Sequence, residues 1–224
     1  MIRRRFTSPL VLLMSLTLAG LLIVVVLDLP PQPGLAAPVA DAMDRSGVRH
    51  PVTAVLLNFR GYDTFLELAV LMLAVLSIWS LGLRDPIPAR PVQGPVLHGT
   101  LRHLIPVAVV TGGYLVWVGS SDSGGAFQGG AVLGAAGVML MLSLPREMPM
   151  PSALVQRLGL SLGAFAFLAV GTAGLLTGHG FMGYPPAWAY HLILGIELAA
   201  SVSIALTLVL LFLGGRSRRV RHGR

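Results

Sequence analysis

The sequence predicts an all-α integral membrane protein, a bundle of about six transmembrane helices with both termini cytoplasmic. Three observations lead there. Hydrophobic residues make up 54% of the 224 residues and charged residues only 11%, too few to cover a water-facing surface. Apolar runs near 6–27, 64–83, 101–119, 126–144, 154–177 and 188–213 each approach the ~20 residues that a spanning helix needs. Six spans leave both ends on one side, and most arginines gather there: Arg3, Arg4, Arg5, Arg84, Arg90, Arg102, Arg146, Arg157 and the tail from Arg216 to Arg224. The opposite loops hold only Arg45, Arg49 and Arg60, so the arginine-rich side is the cytoplasm and the membrane is the inner one.

The first apolar run, Phe6 to Leu27 after three arginines, resembles a signal peptide but exceeds the ~7–15 residues of a signal core and is long enough to span, so it is expected to be retained. The connection over about 28–61 begins with Leu29-Pro30-Pro31-Gln32-Pro33-Gly34 and reads as an external loop. Its apolar end, Val52 to Phe59, either extends the second spanning helix or lies at the interface. Pro86, Pro88, Pro91 and Pro95 disfavour helix between the second and third spans and place a boundary there. Residues 1–97 are then a two-helix unit, 98–215 a four-helix domain and 216–224 a basic cytoplasmic tail.

The formal charge of +7 arises from sixteen arginines and no lysine. These charges flank apolar runs and form no basic face interleaved with aromatics, which excludes nucleic acid as a partner. With no cysteine, the chain can hold no disulfide, thiolate-bound cluster or cysteine nucleophile. His50, His98, His103 and His179 lack ligand spacing, and neither a paired-histidine motif nor a nucleophile elbow occurs, so no metal site, cofactor or enzyme activity is expected.

Ionisable residues inside the spans carry the functional reading, because a charge there costs several kcal/mol unless it is paired, hydrated or neutralised. Glu197 lies about nine residues into the last span, hence ~13 Å deep, where a carboxyl suits proton carriage or a cation. A neutral carboxyl hydrogen-bonded to a neighbouring helix is the alternative. His191 lies roughly 120° away around the same helix and reads as an interfacial imidazole. Asp63 and Glu67 share a helix face one turn after Arg60, as an ion or proton access site would require. Equally, Thr64-x-x-Glu67 reads as a capping box with both acids at the positive end of the helix dipole.

The stretch from Gly119 to Gly130 turns the chain between the third and fourth spans and lacks the Lys-Ser/Thr of a phosphate loop. Gln128, at the mouth of the fourth span, either lines a path or ties the turn. Gly130 with Gly134, and Gly159 with Gly163, have the spacing that lets helices approach closely, and Gly124, Gly125 and Gly129 are read as packing residues too. Trp79, Trp117, Trp188, Tyr114 and Tyr184 lie toward span ends, as an aromatic belt would.

Two stretches resemble known families. Residues from about 98 to 213, with Gly124-Gly125-Ala126-Phe127-Gln128-Gly129-Gly130, resemble the MnhB family, the B subunit of Mrp-type multi-subunit Na⁺/H⁺ antiporters. Residues from about 52 to 84, with Asn58-Phe59-Arg60-Gly61-Tyr62-Asp63-Thr64-Phe65-Leu66-Glu67, resemble the MbhE-like segment that closes the A subunit of such antiporters. Ser120, Ser123 and Ala126 stand where the MnhB pattern has His, Pro and a third Gly. The resemblance implies a non-catalytic subunit that exchanges a monovalent cation, Na⁺ among them, for H⁺ within a complex of larger antiporter-like and small helical membrane subunits. Relatives in complex I-like and membrane-bound hydrogenase-type pumps give a second expectation, the membrane arm of a redox-driven complex. A self-contained small transporter is the third. The topology has a direct check in a cysteine-free chain: single cysteines at Ser123 and His179 are expected to react with an impermeant maleimide from outside intact cells, and reaction only after the inner face is opened would contradict it.

Overall fold

The computed structural model describes residues 9–29, 34–81, 94–143 and 151–214; the arginines near both ends, Arg84, Arg90, Arg146 and the prolines at 86, 88 and 91 lie outside them. The described residues are helical, without a strand. The long helices are α1 (Pro9–Leu27), α4 (Gly61–Leu81), α5 (Pro95–Val118), α6 (Ala126–Ser143), α7 (Ala153–Leu176) and α8 (Ala189–Phe212). The last five are each long and apolar enough to cross a membrane, and α1 is a shorter apolar helix. The described residues divide into two compact units, one up to residue 37 and one from residue 38 onward. In the first, α1 exposes apolar residues all round and holds the Thr17 hydroxyl on the Leu13 carbonyl, 2.9 Å away.

In the second unit α8 is the hub. It packs against α4, α5, α6 and α7, and buries Ile193, Ile196, Ala200, Ile204 and Leu210 on several sides. A helix hydrophobic around its circumference is stable only when surrounded, by protein or by lipid. Glycines bring the neighbours to it. A Cβ on Gly130 would stand 2.9 Å from Ile204, one on Gly134 2.9 Å from Leu208, and one on Gly163 3.0 Å from the Ala200 Cα. Small residues at such contacts let backbones approach where lipid supplies no hydrophobic drive between helices. Outward, Val107, Val110, Trp117, Phe165 and Val202 are exposed, as a surface solvated by lipid requires.

The connection read as a loop, with an apolar end that extends the next helix or lies at the interface, contains short helices among its described residues. After the short α2 (Ala36–Ala42) and a 3₁₀ turn (Met43–Arg45), α3 (Pro51–Ala54) runs into a π-helical turn over Val55–Phe59. Ala54 and Leu57 are buried, and Gly47 sits so close to Ala189 that a side chain there would collide with it. Ser46 organises the turn: its hydroxyl, a single donor, lies within hydrogen-bond reach of both the Met43 and Val48 carbonyls, and its own carbonyl accepts from Asn58 Nδ2 at 2.7 Å. The π register frees carbonyls that side chains then take up: Thr64 Oγ1 donates to Leu56 O and Tyr184 Oη to Leu57 O, both at 2.7 Å. Thr64 is therefore a donor to the preceding turn inside α4, and the capping box is not formed.

The break at Arg60 sets the depth of α4. Gly61 lies against Phe167, where a Cβ would be 3.9 Å from the ring. Phe167 stands roughly nine residues, ~13 Å, before the end of α7. So α4 starts well short of the level of the C-terminal end of α7, and residues 46–59 occupy the space between. Tyr184, expected in an aromatic belt, is buried instead; burial pushes its phenol above the ordinary tyrosine range, so it remains a donor to Leu57 O. Tyr184→Phe leaves that carbonyl unpaired and is expected to lower stability by about 1–3 kcal/mol, read as a lower midpoint of thermal unfolding in detergent; an unchanged midpoint would contradict this role.

Candidate functional site

The connection between α5 and α6 is a tight, buried turn. Gly125 N–H donates to Leu115 O at 2.7 Å, folding the chain back onto the last turn of α5, and Gly125 has φ +111°, a conformation open to glycine. From one side residues 49–53 hold it: Arg49 and His50 N–H donate to Ser120 O at 2.9 and 3.1 Å, and the Thr53 hydroxyl donates to Gly119 O. His50 Nδ1 lies 3.4 Å from that hydroxyl. Thr53 and Ser120 are each 5% exposed.

From the other side α8 brings Glu197, 1% exposed. Its carboxyl lies across the glycine turn: Oε1 is 3.1 Å from where a Gly119 Cβ would stand and 2.9 Å from a Gly125 Cβ. Only glycine leaves room for it. The Ala126 N–H, at the first residue of α6, donates a hydrogen bond to the carboxyl, a favourable place for an anion because helix N-termini carry unpaired N–H groups and partial positive charge. Oε2 has no hydrogen-bond partner among the described residues. The site is therefore half satisfied: one oxygen fixed at a helix N-terminus, the other open to a proton, a water or a cation. Below it, buried Ser201 and Ser203 donate to Leu198 O and Leu160 O, so the polar groups near Glu197 on α8 are taken up by carbonyls.

Residues 96–216, more than half of the chain, match the family described as "Domain related to MnhB subunit of Na+/H+ antiporter". The chain belongs to the MnhB-related family. Among solved structures, the Mrp complex from Dietzia sp. DQ12-45-1b contains a similar chain, at 21% identity and a TM-score of 0.66 over 98% of the present chain. The present chain spans 27% of that one. The membrane-bound sulfane sulfur reductase, an archaeal respiratory membrane complex, contains another, at 23% identity and a TM-score of 0.62 over 90% of this chain and 97% of that one. At these identities the likeness is one of fold. No curated protein matches the chain.

Within this MnhB-related fold the sequence-predicted residues are distributed unevenly. Gln128 is exposed on the outside of α6, with its Oε1 3.6 Å from a Gly125 Cβ position and so beside the Glu197 carboxyl. Asp63 Oδ2 pairs with Arg60 at 2.5 Å, with both side chains substantially exposed. Glu67 is exposed and makes no ion pair among the described residues. Its neighbour Leu68 packs on Gly163, which touches Ala200, so Glu67 lies near the level of Glu197 but on the outside of the bundle. His191 is exposed, edge-on to Trp188 and Tyr190, and apart from Glu197. The glycines Gly124, Gly129 and Gly159 all meet a neighbour closely: Leu115 O, Val116 and Leu206 respectively.

Sequence reasoning missed Thr53, His50 and Ser120. Thr53 and Gly119 are 66 apart in the chain, His50 and Ser120 are farther still, and the acceptors are backbone carbonyls that any residue type supplies, so no spacing announces these contacts. Buried Gln156, whose Nε2 donates to Pro151 O at 2.9 Å beside the Ser152 cap of α7, was also unforeseen; a polar residue one turn into an apolar run after Pro-Ser was its signal. The clasp has a measurable consequence: Thr53→Val removes the donor to Gly119 O and is expected to cost about 1–3 kcal/mol of stability, whereas an unaltered unfolding midpoint in detergent would show that the hydroxyl does not hold the turn.

Proposed function

We propose that this chain is a non-catalytic, multi-pass subunit of a cation/proton antiporter of the inner membrane, and that Glu197 is its titratable step on an ion or proton path. Membership of a family described by the MnhB subunit of a Na⁺/H⁺ antiporter supports the class. The observation that carries the site is the Glu197 carboxyl, buried in a five-helix bundle with one oxygen held by the Ala126 N–H and the other unpartnered among the described residues. The Ala126 N–H at the start of α6 favours negative charge on one oxygen, while Oε2 is left open to a proton. No mid-depth base among the described residues neutralises it.

Other membrane subunits of the same complex are the partners this reading requires. Glu67, exposed near mid-depth, is costly against lipid and is expected to meet a donor or a cation at a subunit contact. Asp63, neutralised by Arg60, contributes a polar step nearby, and Gln128 and His191 lie on outward faces where a path continues into partners. Residues 52–84 are read as the MbhE-like unit fused ahead of the MnhB-related part, on their sequence alone. H⁺ is the ion that the lone carboxyl suits best, with Na⁺ as the exchanged cation. A second reading, the membrane arm of a redox-driven complex, is favoured by the likeness to a chain of an archaeal respiratory complex over nearly all of that chain.

Glu197→Gln keeps size and hydrogen bonding but cannot titrate. In the reconstituted complex it is expected to abolish proton-coupled cation exchange, a loss of about 100-fold or more, while assembly is unchanged. Exchange at the parent rate by an assembled Gln variant would leave Glu197 a structural residue.

A further inference from the structure

Glu67 carries a charge that the described bundle does not neutralise. Its neighbour Leu68 packs on Gly163, ten residues after the start of α7 at Ala153 and thirteen before its end at Leu176, so Glu67 stands level with the middle of a spanning helix. The side chain is exposed and makes no ion pair among the described residues. Along the same outward strip of α4, Val70 is 64% exposed, Ala74 is small, and the Ser77 hydroxyl is donated to Leu73 O at 2.7 Å. A carboxylate facing lipid there costs several kcal/mol. Asp63, one turn earlier on this face, is neutralised by Arg60. That arginine is thereby engaged, and α4 from Gly61 to Leu81 contains no Lys, Arg or His of its own. A hard cation is a poor substitute for a base, since it takes about six oxygen ligands and the convex strip offers one free carboxylate. No group of acidic or histidine side chains able to hold an ion occurs among the described residues.

We propose that the Glu67 strip of α4 seats a transmembrane helix of another subunit, and that this helix presents a lysine or arginine to the Glu67 carboxylate at mid-membrane depth. A tethered ammonium or guanidinium needs a single carboxylate as partner and supplies the hydrogen-bond donors that lipid lacks. Ala74 and Ser77, two and three turns on, let the incoming helix lie close. The pair also fixes the height at which that helix docks, because sliding it by one turn, ~5.4 Å, separates the charges. Glu67 is then an assembly residue. The proposal rests on the multi-subunit reading and is independent of the part played by Glu197.

A photo-reactive benzoylphenylalanine in place of Val70, in the complete complex in native membranes, reads what covers the strip. It is expected to cross-link to one other subunit, at a peptide with a lysine or arginine within a helical turn of the joined residue. Glu67→Lys is expected to lower recovery of the assembled complex about tenfold or more, and changing the partner's base to glutamate is expected to restore it. A cross-link only to lipid or to a second copy of this chain, a joined peptide without a base, or full assembly with Glu67→Lys would overturn the proposal. Where Glu67→Lys lowers the amount of the chain itself, the Val70 cross-link alone decides. A parent chain that purifies without other subunits would overturn the subunit reading, and the proposal with it.

Discussion

A carboxyl in the interior of a bundle whose outside is lipid has few ways to be stable, and the arrangement around Glu197 supplies one of them. The fixed charge of a helix N-terminus and the N–H of Ala126 meet one oxygen. For that to happen the chain must turn from α5 into α6 within reach of α8, without a side chain between carboxyl and backbone. Gly119 and Gly125 provide the clearance, and the positive φ of Gly125 provides the turn. The serine-rich remainder of the loop reaches outward, so the polar groups that do not serve the carboxyl are left where water is available.

The end of the bundle that holds the C-terminus of α7 is built to keep that turn in place. Because α4 starts deep, at the level of Phe167, the residues before it become part of the packed interior. They bring Thr53, Arg49 and His50 onto the carbonyls of Gly119 and Ser120. The π-helical turn lets this segment fit, and its freed carbonyls are bound by Thr64 and Tyr184. Residues 49–53 and the turn between α5 and α6 are thus joined by hydrogen bonds at the site itself.

Much of the bundle was legible because its signals are local. Long apolar runs fix α4 to α8, and their ends agree with the structure to within a few residues except at α5, where Pro95 starts the helix instead of merely breaking it. Glu197 was legible as an acid in an apolar run, and the glycine turn as a place of close approach. What sits across from what was not legible. The depth of α4 depends on the break at Arg60, and a reader of periodicity sees only a continuous apolar stretch from Val52 onward. Tyr184 reads as a belt residue by its place near a span end, yet its hydroxyl is drawn inward by a carbonyl that only the π register exposes. Asp63 and Glu67 look equivalent on one helix face, but Arg60 reaches only the first.

On the proposed reading, the Glu197 carboxyl, seated on the glycine turn, gains and loses a proton as the complex exchanges ions. Infrared difference spectroscopy of the reconstituted complex, recorded with and without an imposed cation gradient, tests that claim on the group itself. The expected result is a carboxylic C=O band that changes with the gradient and disappears in Glu197→Gln. A difference spectrum in the carboxyl region that is the same in parent and Gln variant would contradict it.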